Sequence, residues 1–287
     1  MMKIIDTHCH IYPEKIAHKA VDTVEAFYDR LPRDPFDGTA AELVRSGHEA
    51  GIGHFVVFSV ATTPQQVSSI NRFIAREVAA YPGEMTGLGA MHLESDDYER
   101  DLQEIEALGL KGVKLHPDIQ KFEADEARAM KVYEMCEERM PICIHAGDRR
   151  YNFSGPERMA RIAENFPHLR LICAHMGGWS VWEQASEILW KYDNILVDCS
   201  SSLYWLGPER SKKVIRRYGA DRVLFGTDYP FWPQKEEIQD LCGMGLKEEE
   251  LEKIFWKNAA ELYHVEMDGA ATPDIAGKTG QQEESKE

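Results

Sequence analysis

The chain alternates short apolar runs with longer stretches in which apolar residues recur at helical spacing. The short runs are rich in β-branched and other apolar side chains, as strands buried on both faces should be. We predict strands at 3–8, 54–61, 85–91, 110–116, 141–146, 169–175, 194–199 and 222–228. The intervening stretches have amphipathic patterns; in 64–81, for example, Val67, Ile70, Ile74 and Val78 share one helix face.

The order of these elements predicts the fold. Eight strands that alternate with helices pair in parallel through right-handed crossovers. The count of eight favours a single closed (β/α)8 TIM barrel, of the α/β class, over an open doubly wound sheet. No glycine-rich phosphate fingerprint follows any strand, which weakens the dinucleotide-binding alternative. We assign 1–265 to the barrel and expect the Gly-, Glu-, Gln- and Ser-rich stretch 266–287 to be a disordered tail.

Composition narrows the classes of partner. The formal net charge is −16, from 33 basic and 49 acidic residues, which argues against nucleic acid and anionic membranes. No apolar run approaches the length needed to cross a bilayer, and the first strand leaves no room for a signal peptide. The six cysteines are scattered without a Cys-x-x-Cys pair. We therefore expect a cytoplasmic protein with a small-molecule substrate; a homodimer is compatible with the fold.

The first predicted strand runs into a His-x-His motif formed by His8 and His10. Side chains two positions apart on a strand point to the same face, so the two imidazoles are predicted to lie side by side. Neutral imidazole is a good ligand for zinc, iron and manganese. We interpret the motif as a pair of ligands for one divalent metal.

Polar residues also follow the ends of later strands. In (β/α)8 enzymes the chemistry takes place at the carboxyl ends of the strands, which meet at one face of the barrel. These ends carry Lys114, His116, His145, His175 and Asp228. We expect these side chains to join the His-x-His pair in one site.

Five motifs identify a family resemblance. They are IDTHCH at 5–10, GVKLHP at 112–117, IHAG at 144–147, AHMGG at 174–178 and FGTDYP at 225–230. On these motifs the chain resembles the amidohydrolase superfamily from residue 3 to residue 265. Within it, the chain is similar to the amidohydrolase-related branch, which contains both hydrolases and metal-dependent, cofactor-free decarboxylases.

The resemblance implies a role for each matching residue. His8, His10 and His145 would hold one divalent metal, with zinc as the first choice and manganese or iron as alternatives. Asp228 would contact the metal or its water and shuttle the proton, and His175 would polarise a substrate oxygen or orient the water. Three neutral ligands leave the open coordination position that a catalytic zinc site needs.

Lys114 has two interpretations. In other branches of the superfamily a lysine at this strand is carboxylated and bridges two metals. We expect one metal here, with Lys114 acting as a fixed cation towards a substrate carboxylate or oxyanion. His116 shares a strand face with Lys114 and is a second candidate for substrate binding. Arg149 and its neighbour Arg150, in the loop after His145, could also bind an anionic substrate, with a solvated basic turn as the competing explanation.

These residues support two reactions. The first hypothesis is a metal-dependent hydrolase of a small amide, ester or lactone, which uses a metal-activated water and Asp228 as proton shuttle. The alternative is a non-oxidative decarboxylase of a small aromatic or enol carboxylic acid, in which protonated Asp228 delivers a proton to carbon. A barrel that only binds a ligand is a third class, which the intact set of site residues argues against.

Overall fold

The computed structural model describes residues 2–28 and 35–267. From residue 268 onward, the predicted disordered tail lies outside the described residues. The strands in this part of the chain are β1 (Ile5–His10), β2 (His54–Phe58), β3 (Met85–Gly87), β4 (Gly89–Ala90), β5 (Val113–Leu115), β6 (Ile142–Ile144), β7 (Leu171–Cys173), β8 (Ile195–Asp198) and β9 (Val223–Leu224).

The strands form a closed parallel barrel. They pair in the orders β1-β2-β3 and β4-β5-β6-β7-β8-β9, every ladder being parallel. β3 and β4 are two pieces of the third barrel strand, interrupted at Leu88, whose N–H donates to the Val57 carbonyl at 2.9 Å. The ring closes between the last and first strands, where the Thr7 N–H donates to the Phe225 carbonyl at 2.9 Å. The predicted (β/α)8 barrel is confirmed.

Helices surround the barrel. They are α1 (Glu14–Phe27), α2 (Ala40–Ala50), α3 (Val67–Ala80), α4 (Tyr98–Ala107), α5 (Pro117–Gln120), α6 (Ala127–Cys136), α7 (Pro156–Asn165), α8 (Trp182–Leu189), α9 (Leu203–Tyr218), α10 (Gln234–Gly243), α11 (Glu248–Glu252) and α12 (Asn258–Tyr263). A π-helical segment, Lys253–Lys257, joins the last two. None of the helices within the described ranges is long and apolar enough to cross a bilayer.

Alternation along the strands separates an apolar floor from a polar mouth. A cluster of buried side chains fills the lower barrel, with members on most strands and on the closing C-terminal helix: Ile5, Val56, Phe58, Leu88, Cys143, Ile172, Leu196, Leu224 and Tyr263. Side chains two positions further along a strand share the same face. His145 and Asp198 each follow a floor residue by two positions, so both point inward at the mouth.

The observed strands are shorter than the apolar runs suggested. The run predicted at 222–228 forms a strand only over Val223–Leu224, and the run at 54–61 ends as a strand at Phe58. The residues beyond these points leave the ladder and form the loops that carry the site. The short helix α5, directly after β5, was not predicted by the periodicity, because four residues are too few to show it.

Candidate active site

The strand ends bring four predicted histidines together at one face of the barrel. The ring centroids of His8 and His10 lie 5.3 Å apart, and those of His8 and His175 lie 5.0 Å apart. His145 lies next to His175, with 4.8 Å between ring centroids. All four residues are buried. The His-x-His pair therefore belongs to a larger cluster, which is the arrangement that the strand-end positions predict.

His8, His10 and Asp228 form a candidate metal group. Asp228 Oδ1 lies 3.3 Å from His8 Nε2 and 3.5 Å from His10 Nε2. One ligand atom from each residue lies within 4.8 Å of the others. Two imidazoles and one carboxylate are donor types that zinc and manganese both accept. The residues present therefore fit a divalent cation, and we call these three side chains the metal group.

Burial shifts the pKa values of the side chains in the metal group. Desolvation lowers the pKa of His8 and of His10 well below the ordinary histidine value, and the charge of Lys114 acts in the same direction. The imidazoles are therefore neutral, which is the form that binds a metal. Desolvation raises the pKa of Asp228 to about 6, while a hydrogen bond from Ser201 opposes that shift.

The loop after β9 holds Asp228 against the first strand. Asp228 has φ of +66°, in the left-handed region that non-glycine residues rarely adopt. Its N–H donates to the His8 carbonyl at 2.9 Å, and the Ser201 hydroxyl donates to its Oδ2. Asp6 anchors the same loop, because it accepts hydrogen bonds from the N–H and the hydroxyl of Thr227. The carboxylate of Asp228 is thus fixed beside His8 by the protein itself.

Lys114 places a buried cation at the inner end of the site. The residue is 1% exposed, and its Nζ lies 3.2 Å from His8 Nε2. The same Nζ lies 3.6 Å from Cys143 Sγ and 4.6 Å from the ring centroid of Phe58. No carboxylate within 2–28 and 35–267 forms an ion pair with it. The Lys114 charge lowers the pKa of Asp228, but without a direct ion pair this buried ammonium is suited to face an anionic group of a substrate.

His175 and His145 form a directional hydrogen-bonded pair. His175 Nδ1 lies 3.2 Å from the Ser200 carbonyl oxygen and 2.9 Å from the Ser200 hydroxyl. A carbonyl only accepts, so His175 carries its proton on Nδ1. His175 Nε2 is then the acceptor at 3.0 Å from His145 Nδ1, which donates. Desolvation lowers the pKa of His175 to about 4, so it is neutral at physiological pH.

His145, His116 and Asp118 form a second group beside the metal group. The rings of His116 and His145 stack with 4.0 Å between centroids and a 7° interplanar angle. Asp118 Oδ2 lies 3.8 Å from His145 Nε2, and one ligand atom from each residue lies within 4.8 Å of the others. Desolvation raises the pKa of Asp118 to about 7. The structure thus places His145 in this second group, and its predicted ligation of the metal stays a prediction.

A cavity of about 680 Å³ opens onto both groups. His10, Lys114, His116, His175 and Asp228 contribute to its polar inner end. Its walls are mostly apolar and come largely from one face of α1 and the start of α3: Ile16, Val24, Phe27, Ile70 and Phe73. A cavity of this size, with apolar walls and a few polar groups at one end, is typical of a small-molecule site.

The two arginines after His145 take different positions. Arg149 is exposed and does not line the cavity; its backbone N–H donates to the Ser180 hydroxyl at 3.0 Å. Arg150 instead turns inward, pairs with the buried Asp148 at 2.7 Å and donates to the Phe27 carbonyl at 2.6 Å. Arg150 therefore holds the end of α1 over the cavity. The structure does not bring Arg149 together with the other predicted site residues.

Several buried polar residues of the site were not predicted. Asp198, Ser200, Ser201 and Asp118 all contact a predicted site residue. Asp198 ends a strand, so the rule that identified the histidines could also have found it. The serines lie in a loop and Asp118 in the four-residue helix α5, where the sequence gives no periodic signal for their orientation.

Comparison with known proteins agrees with this geometry. A family model described as Amidohydrolase matches residues 5–265. A curated relative, "Decarboxylase orsB" of Emericella nidulans, is 28% identical over 130 residues. That match covers 38% of this chain and spans 38% of the relative's length.

Solved structures share the fold over nearly the whole chain. A TIM-barrel protein of Bordetella bronchiseptica has a TM-score of 0.75 at 23% identity, covering 91% of this chain and 98% of its own. A dihydroxybenzoic acid decarboxylase of Polaromonas, solved with manganese and 2-nitroresorcinol, has a TM-score of 0.67 at 18% identity. That match covers 92% of this chain and 97% of its own. A proposed 2-pyrone-4,6-dicarboxylic acid hydrolase of Pseudomonas putida has a TM-score of 0.66 at 17% identity, covering 93% of this chain and 100% of its own. At these identities the likeness establishes the barrel.

Proposed function

We propose that this chain, which belongs to the amidohydrolase family of metal-dependent enzymes, is a non-oxidative decarboxylase of a small aromatic or enol carboxylic acid. The family match confirms the predicted resemblance. One observation carries the choice of reaction: the buried cation of Lys114 lies at the inner end of a cavity whose walls are mostly apolar. Such a cavity suits a flat apolar ring whose single carboxylate needs a positive partner.

The proposed reaction also uses one divalent cation, bound by the metal group. His8, His10 and Asp228 would hold the cation, and His145 is the further ligand that the resemblance adds. When bound, the cation would supply Lewis-acid chemistry towards substrate oxygens. Zinc remains our first choice, and the manganese in the Polaromonas decarboxylase supports manganese as the alternative. A carboxylated Lys114 and a second metal remain the alternative arrangement.

The remaining steps belong to the protein's own side chains. Lys114 would balance the charge of the substrate carboxylate, and the apolar walls would exclude water from the ring. The bond between ring carbon and carboxylate carbon breaks, carbon dioxide leaves, and the electron pair stays on the ring carbon. Asp228, in its protonated form, would give a proton to that carbon, so that one carboxylate and one proton become one C–H bond and one carbon dioxide. His175 donates from Nδ1 to Ser200 and accepts at Nε2 from His145, so it would orient a substrate hydroxyl through Nε2 once the His145 ring turns away.

Hydrolysis of a small amide, ester or lactone is the second candidate. Asp228 and His175 both line the cavity, where one could accept a proton from water and the other could polarise a carbonyl oxygen. Lys114 could also stabilise the oxyanion of this reaction, but a small amide or ester has less need of the mostly apolar walls that suit a ring, which is why we rank hydrolysis second. The structural neighbour named as a proposed 2-pyrone-4,6-dicarboxylic acid hydrolase supports keeping this second candidate.

The experiment that tests the proposal is product analysis with labelled substrates. The metal-loaded protein is incubated with hydroxybenzoic acids that carry carbon-13 in the carboxyl group, and separately with aryl esters and lactones. The proposal predicts labelled carbon dioxide in a one-to-one ratio with a ring product that carries a new C–H bond. Ring opening of a lactone or release of an alcohol, without carbon dioxide from any acid, would establish hydrolysis instead.

A further inference from the structure

A carboxylate beneath the metal group is saturated with hydrogen-bond donors. Asp198 ends β8 and is 1% exposed. Its Oδ2 lies 2.9 Å from His8 Nδ1. Its Oδ1 accepts from the backbone N–H of His175 at 3.0 Å, from the N–H of Ser200 at 3.1 Å, and from the Ser200 hydroxyl. Each oxygen is therefore committed to a specific partner.

These contacts determine which nitrogen of His8 carries the proton. The carboxylate oxygen of Asp198 accepts in this contact, so the proton of His8 lies on Nδ1. His8 Nε2 then presents its lone pair to the side where Lys114 and Asp228 lie, at 3.2 and 3.3 Å. That lone pair is the one a metal would use. The tautomer is thus set by Asp198, from the face opposite the metal group.

We propose that Asp198 is a positioning residue that holds His8 in the Nδ1–H tautomer and fixes its ring for metal binding. Histidine ligands in metal sites commonly donate their other N–H to a carboxylate, which orients the ring and strengthens the ligand. The Ser200 hydroxyl lies 3.2 Å from His8 Nδ1 and 2.9 Å from His175 Nδ1, but because it donates its own proton to Asp198 it can only accept from either imidazole. The inference rests on the proposed function in one respect, namely that the metal group holds a divalent cation.

Asp198→Asn is a sharp test because the surrounding donors dictate how an amide would sit. The backbone N–H groups of His175 and Ser200 both need an acceptor on the Oδ1 side. The amide oxygen of the substituted side chain would therefore occupy that side, and its NH2 group would turn towards His8. An NH2 group donates, so His8 Nδ1 would become an acceptor and the proton would move to Nε2. The nitrogen intended for the metal would then be blocked.

Two measurements on the full chain test this. Nitrogen-15 labelled histidine spectra of the metal-free protein should show His8 protonated on Nδ1 in the wild type and on Nε2 in Asp198→Asn. Manganese and zinc affinities, measured by competition with a chelator, should fall by about 10- to 100-fold in Asp198→Asn. Ser200→Ala should keep the His8 tautomer and stay within about threefold of the wild-type affinity.

A matched variant controls for the loss of a buried carboxylate. Asp101, on α4, is also buried and accepts from the Ser95 hydroxyl, but it lies outside the site. Asp101→Asn should leave both the His8 tautomer and the metal affinity unchanged. If Asp198→Asn retains Nδ1–H on His8 and wild-type affinity, the inference is wrong. If the wild type binds neither metal, the proposed function fails, while the tautomer spectra still decide the role of Asp198.

Discussion

Three groups of largely buried histidines and carboxylates, two of them sharing His8, lie at the barrel mouth in the described part of the chain, and among them the metal group and the second group differ in how completely their polar atoms are partnered. In the metal group, Asp198 accepts from His8 Nδ1, and Asp228 lies beside His8 Nε2. In the second group, His145 Nε2 and Asp118 Oδ1 are buried and have no hydrogen-bond partner among the described residues. A buried polar atom left unpaired costs about 1–3 kcal/mol. The second group is therefore the incomplete one.

The metal group is therefore already held in position by the protein, whereas the second group has polar atoms that the described residues leave unpaired and that can bind a ligand. The metal group is held by contacts that the protein makes on its own, from Asp198 on one side and the β9 loop on the other. The second group would be completed by a substrate group, a cation or a turn of the His145 ring. His145 is the residue at issue, because the family resemblance assigns it to the metal and the structure turns its Nδ1 towards His175.

The largest expected effect comes from breaking the metal group itself. His8→Ala removes one of the two imidazoles of the metal group and leaves Oδ2 of the buried Asp198 without its His8 donor. We expect metal content, measured by mass spectrometry of the purified protein, to fall from about one equivalent to near zero. Activity should fall with it, by about 10³-fold or more. About two equivalents in the wild type would instead favour a carboxylated, bridging Lys114 and would make the second group a metal site as well.

Lys114→Met should reduce catalysis while leaving the metal in place. Methionine keeps much of the apolar volume of the lysine side chain, which packs against Phe58, and removes only the charge. Because Lys114 is proposed to face the substrate carboxylate, kcat/KM for decarboxylation should fall by about 10²- to 10³-fold. Metal content near the wild-type value is the control. An unchanged kcat/KM with an acid substrate would argue against decarboxylation and for the hydrolase alternative.

His145→Ala tests directly whether the two groups are separate. Its Nε2 is buried and unpartnered but lies outside the metal group, so its removal should matter less than that of His8. We expect metal affinity to fall by about 10-fold, with metal still bound at saturating concentration. A loss as complete as in His8→Ala would show that His145 joins the metal group when the cation binds. His116→Ala, in the stacked neighbouring ring, is the matched variant and should retain wild-type metal affinity.

Arg150→Met should weaken substrate binding through the wall of the cavity next to the second group. Arg150 holds Asp148 and the Phe27 carbonyl, and Tyr28, the next residue, lies 3.1 Å from His116 Nε2 through its hydroxyl. Loosening this end of α1 should raise KM by about 10-fold with little change in kcat, as measured by steady-state kinetics. Arg149→Met is the control and should match the wild type. A higher KM in Arg149→Met, with an unchanged KM in Arg150→Met, would instead support the sequence-based prediction that Arg149 binds the substrate.

The sequence could predict the barrel and the main site because both depend on regular spacing. Eight apolar runs and a set of strand-end residues follow directly from alternation and parallel topology. The contact between His8 and Asp198 joins residues 190 positions apart, and no local pattern reports which oxygen meets which nitrogen. The choice between Arg149 and Arg150 depends on loop conformation, where Asp148 has φ of +89° and no periodic signal exists.

A carboxylate outside the cavity, with one unpartnered oxygen, shows what the second group would cost if it had no ligand. Glu237, on α10, is 2% exposed, its Oε2 has no hydrogen-bond partner among the described residues, and it lines no part of the cavity. Desolvation raises its pKa well above the ordinary value, and nearby Asp240 adds to the shift. Because the folded-state pKa is raised, the stability contribution is complete below about pH 4 and declines as the pH rises towards the folded-state pKa.

Glu237→Gln should therefore change stability and leave catalysis alone. At pH 8 we expect the variant to unfold at higher urea concentration than the wild type, with about 1–3 kcal/mol more unfolding free energy. At about pH 4.5 the two proteins should differ much less, because the carboxyl is then protonated in the folded state and about half protonated in the unfolded chain. Activity and metal content should equal the wild type at both pH values. Asp118→Asn instead changes a carboxylate at the mouth that has one unpartnered oxygen, and we expect it to reduce activity. A stability gain at pH 8 from Glu237→Gln together with that loss of activity would show that the unpartnered atoms at the mouth, unlike Glu237, serve to bind a ligand.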